Sequence, residues 1–240
     1  MMTIEKDVVL SLLKLTENGP VHEEAVVKHA RVLTQLAYQV LTKLSENEFF
    51  YESKSVIEVT PTQRVRLALY ALRLGADFQK ICDLLSWREF ENIAAQAFED
   101  NGYEVLRNFH LQHNSKRWEI DLIGLKKPLV LCVDCKHWKR GWRQSATSNA
   151  VRAQIERTEA LSKTLGNYRQ KIKVDAWETV TLIPVIMSLT LGPYKVYDDV
   201  PVVPVLQLQD FINELPAHVP ILKKFSQKVT MQTSDLSRFL

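Results

Sequence analysis

Two consecutive segments rich in Ile, Leu and Val constrain this chain most, because each also carries charged side chains. They are residues 118–125 (WEIDLIGL) and 129–136 (LVLCVDCK). Their composition is typical of β-strands. The intervening Lys126-Lys127-Pro128 places a proline where a turn needs no backbone donor. The pattern predicts a β-hairpin that closes around Lys127-Pro128.

The predicted hairpin brings four charged side chains to one face of a sheet. Closure at Lys127-Pro128 sets Asp121 opposite Asp134 and Glu119 opposite Lys136. Directly opposed residues project on the same side of a sheet. The opposite, apolar face is then expected to hold Ile120, Leu122, Val133 and Cys135.

Two carboxylates and an ammonium group are costly to bury unless something compensates their charge. Hard oxygen ligands suit Mg²⁺ or Mn²⁺. A lysine beside such an ion can orient a water or stabilise charge on a phosphate. Asp121, Asp134 and Lys136 therefore suit metal-assisted phosphodiester hydrolysis. The alternative is a surface hairpin with an exposed ion pair, which contributes roughly 0–1 kcal/mol.

A helix with a glutamate is predicted before the hairpin. Residues 87–101 have apolar positions at helical spacing. Ser86 and Glu89 predict a capping box at its start, and Gly102 predicts its end. Glu91 borders the apolar stripe and is expected to face the sheet. A strand is predicted next, at residues 103–106.

The order of these elements and their motifs resembles the nuclease core of the PD-(D/E)XK superfamily. The motifs are Phe90-Glu91, Gly102–Val105, Glu119–Gly124 and Asp134–Trp138. Within the superfamily they are most similar to Mrr-type restriction endonucleases and archaeal Holliday-junction resolvases. The resemblance covers residues 87–210. It implies an α/β (α+β) core with a central mixed β-sheet flanked by helices, and a metal-dependent endonuclease that hydrolyses phosphodiester bonds in DNA.

The resemblance also implies roles for individual residues. Asp121, Asp134 and the backbone carbonyl of Cys135 would bind Mg²⁺ or Mn²⁺. Lys136 would position the attacking water. Glu91 would bind a second ion or a metal-bound water.

Two more side chains are candidates at this site. Glu119 is an extra carboxylate that either pairs with Lys136 or joins the site. Gln154, on a helix predicted over 149–165, matches a glutamine that related nucleases place near the metal; an ordinary solvent-facing glutamine is the alternative. The chain departs from the family pattern at Asp134, where a glutamate is usual, and at Ile120, where a proline is common.

The segment 137–148 is basic and aromatic, and it follows the predicted site directly. Phosphate contacts are predicted for Lys139, Arg140 and Arg143, and base stacking or wedging for Trp138 and Trp142. The alternative is a solvated loop whose tryptophans pack on the sheet. Further strands are predicted at 179–188 and 202–206, and a short helix at 210–215.

Residues 1–80 predict a separate domain, with the nuclease-like domain over 81–240. Helices are predicted at 4–16, 23–29 and 34–45, a hairpin at 49–59, and a fourth helix from Thr60-Pro61. Three helices and a two-stranded wing resemble a winged helix-turn-helix domain.

This domain is expected either to bind DNA or to mediate protein contacts. Gln35, Gln39 and Lys43 are expected to line the exposed face of the third helix, and Lys54 to lie on the wing. Residues 1–80 hold ten basic and ten acidic side chains. The other 160 residues hold twenty-one basic and eighteen acidic side chains and so carry the whole net charge of +3. Affinity for DNA backbone grows with neutralised phosphates, so charge alone does not favour DNA binding by this domain.

Composition bounds the remaining possibilities. The 240 residues, 46% hydrophobic, suffice for two small cores. No apolar run approaches the roughly 20 residues of a membrane span, and Met1–Asp7 is too charged for a signal peptide. Three cysteines give no paired framework. A cytoplasmic protein without a membrane segment is predicted.

Two function classes stay open from the sequence. The first is a DNA endonuclease, for which cutting both strands of a duplex favours a homodimer. The second is a non-cleaving DNA-binding or regulatory protein that retains a nuclease fold. The DNA substrate is equally open among a methylated site, a Holliday junction, a flap and a damaged duplex.

Overall fold

A computed structural model describes residues 2–136, 143–189 and 192–229. The backbone contacts divide the chain into two compact units, Met1–Ile93 and Ala94–Leu240. The division falls inside a helix. Each unit has its own buried apolar cluster.

The N-terminal unit is built mainly from helices. These are α1 (Met2–Leu15), α2 (Glu23–Ala30), α3 (Thr34–Glu46), α4 (Pro61–Arg73), α5 (Phe78–Leu84) and the start of α6 (Trp87–Asp100). The short strands β1 (Val21–His22), β2 (Tyr51–Ser53) and β3 (Val56–Glu58) pair in the order β1-β3-β2. The predicted helices and hairpin are confirmed, whereas α5 and β1 were not predicted. The winged-helix assignment stays a prediction.

A buried arginine joins several helices of this unit. Arg64 on α4 is 5% exposed. Its Nη1 donates to the Leu13 carbonyl at 2.7 Å and to Thr16 Oγ1 at 2.8 Å, and its Nη2 donates to the Leu84 carbonyl at 2.7 Å. Its Nε donates to the Glu89 carboxylate, which neutralises the charge. One side chain thereby connects α4 to the ends of α1 and α5 and to the start of α6.

The C-terminal unit is a mixed sheet with helices. After α6 follow β4 (Glu104–His113), β5 (Lys116–Lys126), β6 (Leu129–Lys136), α7 (Gln144–Lys163), α8 (Leu165–Tyr168), β7 (Thr179–Ser188), β8 (Val196–Tyr197), β9 (Val200–Pro204), α9 (Leu208–His218) and β10 (Phe225–Lys228). The described strands form a seven-stranded sheet in the order β4-β5-β6-β7-β9-β8, with β10 also paired to β7. β7 runs parallel to β6 and β9, and the other pairings are antiparallel. The predicted α/β fold with a central mixed sheet flanked by helices is confirmed.

A proline inside β7 marks where this strand changes partner. β10 pairs with Thr179–Leu182, and β9 pairs with Ile186–Ser188. Pro184 lies in the interval between these two ladders. Because proline lacks a backbone donor, it is tolerated where no ladder bond is required.

The central hairpin forms as predicted. β5 and β6 close around Lys127-Pro128, and their pairs run from Lys126–Leu129 to Leu122–Val133. Asp121 and Asp134 directly follow the last paired residues, Leu122 and Val133. The backbone therefore sets the two motif-bearing segments side by side.

The expected alternation of side chains fails at one point of β5. Ile120 was predicted to share a face with Leu122, but it packs in one buried cluster with Ile123, and Leu122 is not part of that cluster. The register of β4 and β5 skips the pair Asn108–Asp121, and Asn108 has a φ of 50°. A left-handed residue turns the strand, so the faces exchange beside Asp121.

Several other predictions need correction. The strand predicted at 103–106 begins at Glu104 and extends to His113. The helix predicted from residue 149 begins at Gln144. Strand β10, which pairs with β7, was not predicted. In the part of the chain that the structure describes, no helix has the length and hydropathy needed to cross a membrane.

The three cysteines are buried thiols distributed over both units. Cys82 lies on α5 of the N-terminal unit, and Cys132 and Cys135 lie on β6. Burial raises the pKa of Cys82 to about 12. Burial likewise raises the pKa of Cys132 to about 12, although a hydrogen bond with Thr158 lowers it slightly. These two thiols therefore stay protonated near neutral pH.

Candidate active site

Asp121 connects strand β5 to the motif on strand β6. Its Oδ2 accepts a hydrogen bond from the backbone N–H of Cys135 at 2.8 Å. The bond falls just beyond the last registered pair, Leu122–Val133. The Asp121 carboxylate thus accepts a hydrogen bond from the backbone of β6 where the backbone pairing of β5 and β6 ends. The two predicted motifs are brought together.

Asp134 is buried and lies against two cations. It is 2% exposed. Lys136 Nζ lies 2.6 Å from its Oδ2, and Arg157 Nη1 lies 2.6 Å from its Oδ1. No donor in the described residues is aligned for a hydrogen bond with Oδ2, so the contact with Lys136 is electrostatic. Asp134 thus contacts two cations, and Asp121 is bonded to the next residue of the same strand.

Helix α7 supplies the next layer of contacts. Gln154 is fully buried, and its Nε2 donates to the Cys132 carbonyl at 2.7 Å. Its Oε1 accepts from Arg157 Nη1 at 3.3 Å. The solvent-facing alternative for Gln154 is therefore wrong. The amide links α7 to β6 two residues before Asp134.

Arg157 was not among the predicted site residues. It stands three residues after Gln154, so both side chains project from the same side of α7. The spacing from the candidate glutamine is a sequence signal that this arginine lies near Gln154. Only the structure shows that its guanidinium group reaches Asp134.

The donor set fits a hard divalent cation. Asp134 Oδ2 is a buried carboxylate oxygen without an aligned donor, and the carboxylate of Asp121 is held against the neighbouring backbone of Cys135. Across residues 2–136, 143–189 and 192–229, no three His, Cys, Asp or Glu side chains form a metal-binding group. An ion here would therefore use two carboxylates, a backbone carbonyl and water, which is typical of Mg²⁺.

Glu91 lies on α6 within the N-terminal unit. The predicted capping box is confirmed, because Glu89 N donates to Ser86 Oγ at 3.3 Å and Ser86 N donates to Glu89 Oε2 at 2.6 Å. Glu91 lies one helical turn after Trp87, and its Oε1 accepts a hydrogen bond from Trp87 Nε1. The role of Glu91 at a second metal stays a prediction.

The structure places the remaining candidates of the C-terminal unit in different surroundings. Glu119 is exposed on β5, opposite His110 of β4. Arg143 is exposed at the N-cap of α7. The other predicted DNA contacts lie outside the described residues: Trp138, Lys139, Arg140 and Trp142.

The candidates in the N-terminal unit are exposed. Gln35 and Gln39 lie on the open side of α3. Lys43 lies on the same helix, but its Nζ donates to Glu5 Oε1 at 2.6 Å. Lys54 occupies the turn between β2 and β3, with a φ of 51°. Their role in DNA binding stays a prediction.

Comparison with known families singles out one part of the chain. Residues 86–191 match the nuclease-related domain, NERD. The match spans both strands of the central hairpin and α7, and it supports a nuclease family of the PD-(D/E)XK type at the coarse level. The matched residues include Asp121, Asp134, Lys136, Gln154 and Arg157. No curated protein and no solved structure matches the chain.

Proposed function

We propose that this protein is a metal-dependent DNA endonuclease whose active site is formed by Asp121, Asp134 and Lys136. The observation that carries the proposal is the hydrogen bond from Cys135 N to Asp121, which holds one carboxylate beside the segment that bears the other. The match to a nuclease-related domain supports the same reaction class.

Each group has a chemical task in this proposal. Asp121, Asp134 and the Cys135 carbonyl would hold Mg²⁺ or Mn²⁺, which supplies Lewis-acid activation when bound. Lys136, one-quarter exposed, would reach from the buried carboxylate toward solvent, where it can orient water or stabilise charge on a phosphate. Gln154 fixes the strand beneath Asp134.

The finer parts of the proposal concern substrate binding and assembly. Glu91 would hold a second ion or its water, and Glu119 would adjust the charge at the rim. The basic segment 137–148 and the exposed face of α3 would contact DNA. Cutting both strands would be achieved by a homodimer with two sites.

The test is cleavage of supercoiled plasmid and of labelled duplex, flap and four-way-junction DNA with Mg²⁺, Mn²⁺ or EDTA. We expect metal-dependent cutting that falls at least about 100-fold in Lys136→Ala, because loss of a group that positions a proton or charge has this effect. The matched control is Lys127→Ala, which removes an exposed lysine from the turn of the same hairpin. Equal cleavage by Lys136→Ala and wild type would overturn the mechanism.

One observation favours a second candidate function, a DNA-binding protein that does not cleave. Lys136 and Arg157 together balance the charge of Asp134, which is the arrangement expected of a nuclease fold that binds DNA and does not cleave it. Binding of labelled DNA without cutting on every substrate and with either metal would support this alternative.

A further inference from the structure

The two cations on Asp134 have different positions in the fold. Lys136 shares strand β6 with Asp134, whereas Arg157 comes from α7 and contacts the other carboxylate oxygen. Arg157 is also bound to Gln154, which is itself tied to the Cys132 carbonyl. The guanidinium group is thus fixed by the same contacts that join α7 to the sheet.

The fixed guanidinium group of Arg157 disfavours binding of a metal cation at Asp134. A divalent ion on Asp134 Oδ2 would lie one carboxylate away from Arg157, and like charges at such range repel each other beside a buried carboxylate. Lys136 can withdraw toward solvent along its flexible stem. Arg157 is held by Gln154 and remains.

We propose that Arg157 lowers the affinity of this site for divalent cations by balancing the charge of Asp134. The inference rests on the proposed metal-dependent function. Loss of Arg157 is not expected to displace Asp134, because the backbone of β6 pairs with β7 at Asp134–Ile186 and with β5 up to Val133. Removing the Arg157 charge should therefore raise the affinity for divalent cations more than losing the Arg157–Asp134 contact lowers it.

The experiment measures Mn²⁺ binding to the full-length chain without DNA, by the electron paramagnetic resonance signal of free Mn²⁺. Arg157→Met should bind Mn²⁺ at least about tenfold more tightly than wild type, because a neighbouring arginine typically weakens proton binding by an aspartate tenfold or more and a divalent cation is repelled by the same charge. Arg157→Lys, which keeps the charge, should resemble wild type. The matched control is Arg152→Met, an exposed arginine on the same helix.

Each outcome separates this inference from the proposed function. Unchanged or weaker binding in Arg157→Met, or an equal gain in Arg157→Lys or Arg152→Met, would overturn the inference alone. Binding that is insensitive to Asp134→Ala in every background would overturn the metal site and hence the proposed function. Circular dichroism confirms that each variant is folded, and Arg157→Gln replaces the methionine variant if that variant unfolds.

Discussion

Asp121 combines two tasks, and a single substitution separates them. Its carboxylate accepts from the buried N–H of Cys135 and is also the predicted metal ligand. Asp121→Asn retains an oxygen that can accept this bond but loses the charge. We expect a thermal midpoint close to that of wild type, with cleavage reduced at least about 100-fold.

The comparison variant is Asp121→Ala, which removes the acceptor as well. It removes the hydrogen bond to a buried N–H, at a cost of about 1–3 kcal/mol in the free energy of unfolding. Calorimetry and plasmid cleavage on both variants check the prediction. Equal destabilisation by Asn and Ala would mean that the fold requires the charge itself.

Glu5 gives the N-terminal unit a pH-dependent contribution to stability. Burial acts to raise its pKa, but hydrogen bonds from Lys43 and Tyr70, both at 2.6 Å, outweigh it, so the pKa lies below the ordinary 4.5. A lowered pKa means that the contribution is complete above pH 4.5 and is lost as the pH falls through the folded-state pKa. Urea unfolding as a function of pH should show a shallower acid decline in Glu5→Gln than in wild type.

The control for this titration is Glu46→Gln, an exposed carboxylate on α3. It should reproduce the wild-type acid decline. An identical decline in Glu5→Gln would show that Glu5 does not contribute.

Among the elements, the helices of the N-terminal unit depend most on Arg64. The side chains of Arg64 and Glu89 are both nearly inaccessible to solvent. Arg64→Met leaves Glu89 as an uncompensated buried charge, which costs about 3–5 kcal/mol. Hydrogen exchange should reveal loss of protection in α1, α4 and α5.

Arg73→Met is the matched control, because Arg73 is an exposed arginine on α4. It should leave exchange rates unchanged. Similar protection in Arg64→Met and wild type would show that the ion pair is dispensable.

The elements also show what sequence patterns can predict. β6 and β7 were predicted with their observed bounds because continuous apolar runs flanked by turn residues are distinctive. β4 was predicted too short, because Asn108 breaks its alternation by adopting a positive φ. The helix α5 was missed because seven residues give too few turns for a period to emerge.

At the scale of the whole molecule, the candidate site was predictable where neighbours in sequence are neighbours in space. Asp121, Asp134 and Lys136 were found because one hairpin fixes their register. Arg157 was not, because its contact with Asp134 depends on how α7 packs across the sheet, and no local pattern encodes that distance. Long-range packing of this kind is set by the whole core.

The buried thiols allow the local opening rate of each unit to be measured separately. Cys82 reports on the N-terminal unit and Cys132 on the C-terminal unit. Each thiol is unreactive while it is buried, because burial raises its pKa. An alkylating reagent modifies each cysteine only during an opening that exposes it and allows the thiolate to form. Mass spectrometry of the labelled peptides would therefore give the opening rate of each unit from its own alkylation rate. Both rates come from one sample, without any introduced probe.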